Sequence, residues 1–369
     1  MNNFKVGLLT GLALAVSAAS FAAETTVPKG EVNVYNWTHY IAKDTLAGFE
    51  KQSGIKVNYD LFDTNELLES KLLTGRAGYD VVVPSGVFLA NQIKAGVYQP
   101  LKKDQITNLK NLNPVLMKKL EAYDPGNQFA IPYLWGTVGI GYNPDMVKKA
   151  LGEEAPVDSW DLVFKPENMK KLQSCGVAFL DDATEVYAVA LNYLGMDPNS
   201  KITSDYSAAT DMLSKVSPYV TYFSSSRFVS DLANGDICVT LGYSGGIFQA
   251  ETQAKHSGNG ININYMIPKE GAPVWFDMMA IPKDSPNPEN AHTFVNYILE
   301  PKVTATITNE VSYANGNDAS KPFVDKTLRN NSSIYPTDAQ METLFLGEPH
   351  SPQVTRVITR SWNRVKTGR

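Results

Sequence analysis

From residue 30 onward, short apolar runs alternate with stretches whose apolar residues recur at helical spacing. EVNVYNW at 31–37 reads as a strand. The helix predicted next, DTLAGFEKQSG, can be opened by the Asp44 side chain and closed by Gly54, which tolerates the left-handed turn that ends many helices. IKVNYDLF is a second strand and NELLESKLLTG a helix closing at Gly75. YDVVVPS is a nearly continuous apolar strand, followed by the helix GVFLANQIKAG. Runs buried on both faces and separated by amphipathic helices predict βαβ units and a parallel sheet.

The pattern changes at 127–143, where NQFAIPYLWGTVGIGYN is long, extended and carries three glycines. A second α/β set follows it: CGVAFLDD, the helix TEVYAVALNYLG, the strand ICVTLGYSG and the helix IFQAETQAKHSG. VWFDMMAIP then predicts another crossing strand, ended by a Pro-rich turn and a helix. The expected fold is α/β, with two lobes joined by extended crossings. Lobe 1 takes 23–137 plus about 271–313, and lobe 2 takes 138–270 plus about 314–369.

The first residues modify this picture. A polar start with one cation, Lys5, precedes an apolar run and the small-x-small site Ser20-Phe21-Ala22, the pattern of a secretory signal peptide over 1–22. The run is too short to span a bilayer. The remaining 347 residues suit about two domains at ~150 residues each. Losing Lys5 takes the formal charge from −5 to −6, which disfavours nucleic acid and suits a cationic small ligand. In an exported chain the two cysteines, Cys175 and Cys238, favour a disulfide over a metal site or a reactive thiol. It would close a loop of about 64 residues, worth about 4 kcal/mol. Two separate buried thiols are the other reading.

Gly242-Tyr243-Ser244-Gly245-Gly246 matches G-x-S-x-G at a strand-to-helix turn, where hydrolases present a nucleophilic serine. A triad would need Asp277 or another acid, then His292 or His350, and no HGGG-like oxyanion loop is present. A Gly-rich turn explains the motif with fewer requirements. The four histidines (His39, His256, His292, His350) are widely spaced, neither HExxH nor CxxC occurs, and GTVGIG lacks phosphate-loop spacing. No metal or cofactor is expected. What stands out is aromatic residues beside acids or turn residues at strand ends: Trp37 and Tyr40, Tyr243, Trp275 before Asp277, and Tyr313. Ligands of open α/β sheets bind beyond the carboxyl ends of strands. Aromatic faces attract ammonium groups by ~0.5–2 kcal/mol each, and a buried cation needs a carboxylate, for which Asp277 and Glu185 are the candidates.

Over nearly the whole mature length the chain resembles the periplasmic putrescine/polyamine-binding proteins that feed ABC importers. VYNWTHYIA, TVGIGYN, APVDSWDLVFKPENMKKLQSCGVAF, LNYLGMDPNS, SDLANGDICV, IPKEGA, WFDMMAIP and YANGN carry the resemblance. It implies a two-lobed type II periplasmic binding-protein fold that closes on its ligand, a monomer working with a membrane permease, and no enzymatic activity. It also supports a Cys175–Cys238 disulfide. Carried over by position, the aromatic box falls on Trp37, Tyr40, Tyr243, Trp275 and Tyr313, and the amine-binding polar groups on Thr38, Ser85, Glu185 and Asp277.

The chain departs from that pattern where His39 and Gly246 replace family carboxylates and Arg227 replaces a neutral polar residue. Two expectations follow. The ligand is either putrescine or a longer polyamine, or it is an ω-amino acid such as 4-aminobutyrate or 5-aminovalerate. In the second case His39, Arg227 and the backbone at Gly246 would receive the carboxylate.

Overall fold

The computed structural model describes residues 30–368 besides Met1, and the predicted leader lies outside the described residues. β1 (Glu31–Trp37) runs parallel to β2 (Lys56–Phe62) and to the two-residue β3 (Val81–Val82). Period two divides β1 between two apolar layers. Val32 and Val34 join the larger core, whereas Tyr35 packs with Phe62, Leu68 and Val82 on the other face. The helices predicted between these strands occupy Thr45–Ser53, Asn65–Leu73 and Gly86–Lys94. Gly54 closes the first with φ 74°, the left-handed conformation glycine adopts without strain. Asp44 precedes that helix but makes no side-chain cap.

β4 (Ala130–Tyr142) is the long extended segment, and it crosses the molecule. β5 (Val177–Phe179) lies parallel to both β6 (Tyr222–Phe223) and β7 (Val239–Tyr243), forming the second lobe's sheet, while β8 (Asn264–Met266) returns beside β4. β9 (Ala272–Ala280) is buried along its whole length and antiparallel to both β3 and β4. The first part of β4 pairs with β9, and its end, Val138–Tyr142, pairs with β7. The strand order β2-β1-β3-β9-β4-β7-β5-β6 therefore runs through both lobes. The sheet is mixed: β1, β2 and β3 are parallel, as expected of βαβ units, and the crossing strand β9 is antiparallel to β3 and β4. The crossing strand β4 enters the sheet from the opposite end and is antiparallel to β7 and β9, whereas β5 remains parallel to its neighbours β6 and β7.

The C-terminal part departs from the expected boundary. β10 (Ala314–Asn315) pairs with β4 at Leu134 and Trp135, and the turn Asp318–Phe323 packs on the helix Pro301–Val311. The chain thus stays with the first lobe beyond 313. β11 (Leu344–Leu346) then joins β9, and the helix Pro352–Thr367 packs on the second-lobe helices Ala183–Tyr193 and Thr203–Val216. The disulfide Cys175–Cys238 joins the residues leading into the adjacent strands β5 and β7. It sits at the strand ends opposite Tyr243.

Candidate ligand-binding cleft

Trp37 is the last residue of β1, Tyr243 the last of β7, and Ser85 follows β3. Glu185 occupies the first turn of the helix after β5, and β9 contributes Trp275 and Asp277 from one face while Phe276 points to the other. With Thr38, Tyr40 and Tyr313 these side chains line one cavity of about 470 Å³, its open mouth included. The structure brings together nine of the residues singled out in the sequence, and adds Asp63, Ser225 and Ser226.

The aromatic residues support one another. Tyr313 meets Tyr40 edge-on at 5.0 Å and Trp275 at 5.4 Å, and Tyr243 meets Trp275 at 5.6 Å. Trp37 is fixed by its indole N–H donating to the Val83 carbonyl at 2.8 Å and by packing on Phe62. Two glycines make room for this arrangement. A Cβ on Gly245 would lie 2.5 Å from the Tyr313 ring, and one on Gly136 would lie 2.8 Å from both Trp275 and Ser244 Oγ. The glycines around Ser244 thus serve ring packing.

Asp277 is 4% exposed and accepts a hydrogen bond from Ser85 Oγ at 2.7 Å. Asn65 holds Ser85 in turn, donating from Nδ2 to its hydroxyl and accepting its backbone N–H. Burial pushes the Asp277 carboxyl up to about 7, against the opposing effect of the Ser85 and Tyr40 hydroxyls. Burial also raises Glu185 well above the usual carboxylate range, with repulsion from Asp182 and Asp277 adding to it. Asp182 caps the helix by accepting the Glu185 N–H at 3.1 Å, and takes the Tyr243 hydroxyl at 3.0 Å. The Tyr40 hydroxyl, the Ser225 hydroxyl and the Trp275 indole N–H are buried without a hydrogen-bond partner of good geometry. No Lys, Arg or His lines the cavity among the described residues. Such a wall is complementary to a slender cation with apolar methylenes.

Three expected contributors lie elsewhere. His39 adopts φ 58°, is exposed, and lines a separate groove with Gln249 and Glu310. The Arg227 guanidinium lies over the Tyr222 ring at 4.3 Å and pairs with Asp231 at 2.9 Å, so local partners hold it away from the cavity its neighbours Ser225 and Ser226 line. The Gly246 N–H already donates to the Tyr313 hydroxyl at 3.0 Å, and its Cβ direction points at Phe228. The anion-receiving half required for an ω-amino acid is therefore not assembled. The hydrolase alternative also fails. Ser244 is 2% exposed and its Oγ accepts the Thr137 N–H, while the His292 ring is bonded to Lys102 N and the Pro288 carbonyl, and His350 packs on Tyr206.

Asp182, Asp63, Ser225 and Ser226 were not picked out beforehand. Asp182 had a usable signal: in DDATEVYA it stands three residues before Glu185, where an N-cap residue belongs.

A cleft at strand ends, walled by two α/β lobes that share crossing strands and lacking a nucleophile–base pair, defines a solute-binding protein. The chain belongs to the bacterial extracellular solute-binding proteins, whose family pattern matches residues 45–342. It is 53% identical over 365 residues to the putrescine-binding periplasmic protein SpuD of Pseudomonas aeruginosa (strain UCBPP-PA14), covering 99% of this chain and 98% of that one. It is 51% identical over 364 residues to the putrescine-binding periplasmic protein PotF of Escherichia coli (strain K12), covering 98% and 97%. Among solved structures, it resembles the spermidine/putrescine ABC transporter substrate-binding protein PotD from Streptococcus pneumoniae. The TM-score is 0.73 at 28% identity, covering 92% of this chain and 99% of that one. All three are named as binding proteins, the last as the substrate-binding protein of an ABC transporter.

Proposed function

We propose that the chain is the periplasmic binding component of an ABC importer, capturing a linear diamine such as putrescine in the interlobe cleft and presenting it to a membrane permease. One observation carries this reading: the cavity wall combines Asp277 and Glu185 with the rings of Trp37, Tyr40, Tyr243, Trp275 and Tyr313, and offers no basic side chain. Each ammonium group then has a carboxylate and an aromatic face, and the methylenes lie against rings. The names of the relatives, both putrescine-binding periplasmic proteins, agree with this chemistry. An ω-amino acid would place its carboxylate against acids or neutral hydroxyls, with no cation to receive it, and burying an unpaired charge is costly. Ligand that binds better to the closed arrangement stabilises it, which is how occupancy can be signalled to a permease.

The deciding experiment is calorimetric titration of refolded, ligand-free protein with putrescine, spermidine, 4-aminobutyrate and 5-aminovalerate. Putrescine is expected to bind and both amino acids to give no heat. Binding of an amino acid with no response to putrescine would overturn the proposal.

A further inference from the structure

Two turns of the first lobe reach one side chain of the second. Four non-glycine residues among those described hold a left-handed backbone, a conformation such residues adopt sparingly. Two of the four, His39 (φ 58°) and Ser312 (φ 60°), mark these turns. Gln249, on the second-lobe helix Ser244–Ser257, donates from Nε2 to the Val311 carbonyl at 2.9 Å and to the His39 carbonyl at 3.4 Å. Val311 ends the first-lobe helix Pro301–Val311, so the amide satisfies a carbonyl that has no partner within its own helix. Both acceptors are carbonyls, which requires the nitrogen of the Gln249 amide to face them. One turn earlier on the same helix face, the Gly246 N–H donates to the Tyr313 hydroxyl at 3.0 Å. Beyond Gln249 the lobes part into an open groove, with His39, Ile41 and Glu310 on one side and Thr252 and Gln253 on the other.

Both acceptors are tied by the chain to the ligand cavity. His39 stands between Thr38 and Tyr40, Val311 precedes Tyr313 by two residues, and all three of those neighbours line the cavity. We propose that Gln249 is a closure latch, a positioning residue that bridges the lobes in the ligand-bound arrangement and is released to water when they part. A solute seated against Thr38, Tyr40 and Tyr313 orders the two turns that carry the His39 and Val311 carbonyls. The latch then adds to closure without touching the solute. Its contribution belongs to the closed arrangement alone, so it shifts the balance toward closure and slows release. The left-handed backbone at His39 also acquires a role: it presents the carbonyl to the second lobe while the side chain stays exposed. The proposal rests on the reading of the cleft as a solute site and adds the residue that holds it shut.

Stopped-flow tryptophan fluorescence, with Trp37 and Trp275 in the cavity wall, gives both rate constants for putrescine. Gln249→Met keeps the side-chain bulk and removes the N–H donors. It is expected to raise koff about three- to tenfold, the loss of an ordinary hydrogen bond, and to leave kon within about twofold. The thermal midpoint of ligand-free protein should stay within about 2 °C of wild type. Gln249→Glu sets a carboxylate against the two carbonyls and should raise koff further. Gln249→Asn keeps the donors but falls short of the carbonyls, so it should match the Met variant and covers the case in which that one does not fold. Unchanged koff in folded variants would overturn the latch. So would an affinity loss carried by kon alone, or a ligand-free midpoint lowered by several degrees, the mark of a bond present before ligand arrives. If the wild type binds one of the other titrated solutes instead of putrescine, the diamine reading falls and the latch is read on that solute. Binding of none would overturn both.

Discussion

Ser85 Oγ donates to Asp277 Oδ1 at 2.7 Å, joining the loop after β3 to the crossing strand β9 at the floor of the cleft. The contact fixes the carboxylate from one side and leaves its remaining capacity toward the cavity. Asn65 supports it by bonding both the hydroxyl and the backbone N–H of Ser85. Asp277→Asn keeps the side-chain shape and the bond to Ser85 but removes the charge. It should cost about 2–5 kcal/mol of putrescine binding, thirtyfold or more in Kd. Ser85→Ala should cost less, about tenfold in Kd, because the acid survives and only its orientation is lost. Equal effects of the two variants in calorimetry would show that charge is not what the site reads.

The position of the Asp277 titration, raised by burial to about 7, sets a pH dependence. Below about 7 the free site holds this carboxyl protonated, whereas an ammonium ligand favours the ionised form, so binding releases a proton. Putrescine affinity should fall as pH drops from 7 toward 5, by up to tenfold per unit for one linked proton, and level off above 7. The measured binding heat at pH 6 should depend on the ionisation enthalpy of the buffer. For folding the sign is opposite to that of a salt-bridged acid. The folded state binds the proton more tightly than the unfolded chain, so ligand-free protein gains stability from this group below about pH 4 and loses it as pH rises through 7. Asp277→Asn should flatten both dependences.

Much of this site was legible in the sequence because strand ends are. Once ICVTLGYSG is read as a strand, Tyr243 must emerge at the same edge as Trp37, and the alternation in β9 puts Trp275 and Asp277 on one face, whereas Ser85 and Thr38 were supplied only by the resemblance. Side-chain direction in turns was not legible. His39 is turned outward by a left-handed backbone, and Arg227 is captured by Asp231 one helical turn later, a pairing at i,i+4 that competes with any role in the cleft. The direction of the crossing strands was not legible for a related reason. Apolar runs reveal burial on both faces but carry no sign of strand direction, which here is set by β4 and β9 crossing between lobes.

Gly246 and His39 give a direct test of those directions. A Cβ at 246 would sit 2.6 Å from the Phe228 ring, so Gly246→Asp pushes a carboxylate into packed aromatic surface instead of into the cleft. The variant should lose about 1–3 kcal/mol of stability from overpacking alone and gain no putrescine affinity. His39→Asp should be nearly silent in both, since Asp tolerates the left-handed conformation and the position is exposed. Thermal denaturation and calorimetry on both variants check this, and a tenfold gain in putrescine affinity from either would mean that the position faces the ligand.

The disulfide offers a separation of stability from binding. Cys175 and Cys238 lead into β5 and β7, at the ends remote from Tyr243 and from the helix that carries Glu185. Cys238 is fully buried, and the bridge restrains two strands whose far ends build one wall of the cleft. Replacing both cysteines by alanine should therefore lower the thermal midpoint by an amount corresponding to about 2–4 kcal/mol, chiefly through a freer unfolded chain. The strand pairing Val177↔Val239 to Phe179↔Leu241 remains available to hold the wall in place. Putrescine affinity at 25 °C should accordingly stay within about threefold of wild type, a change of under about 0.7 kcal/mol. A large loss of affinity in protein that is still folded would mean that the bridge positions the Tyr243 and Glu185 wall, and that the lobe is less rigid than its two parallel strand pairs imply.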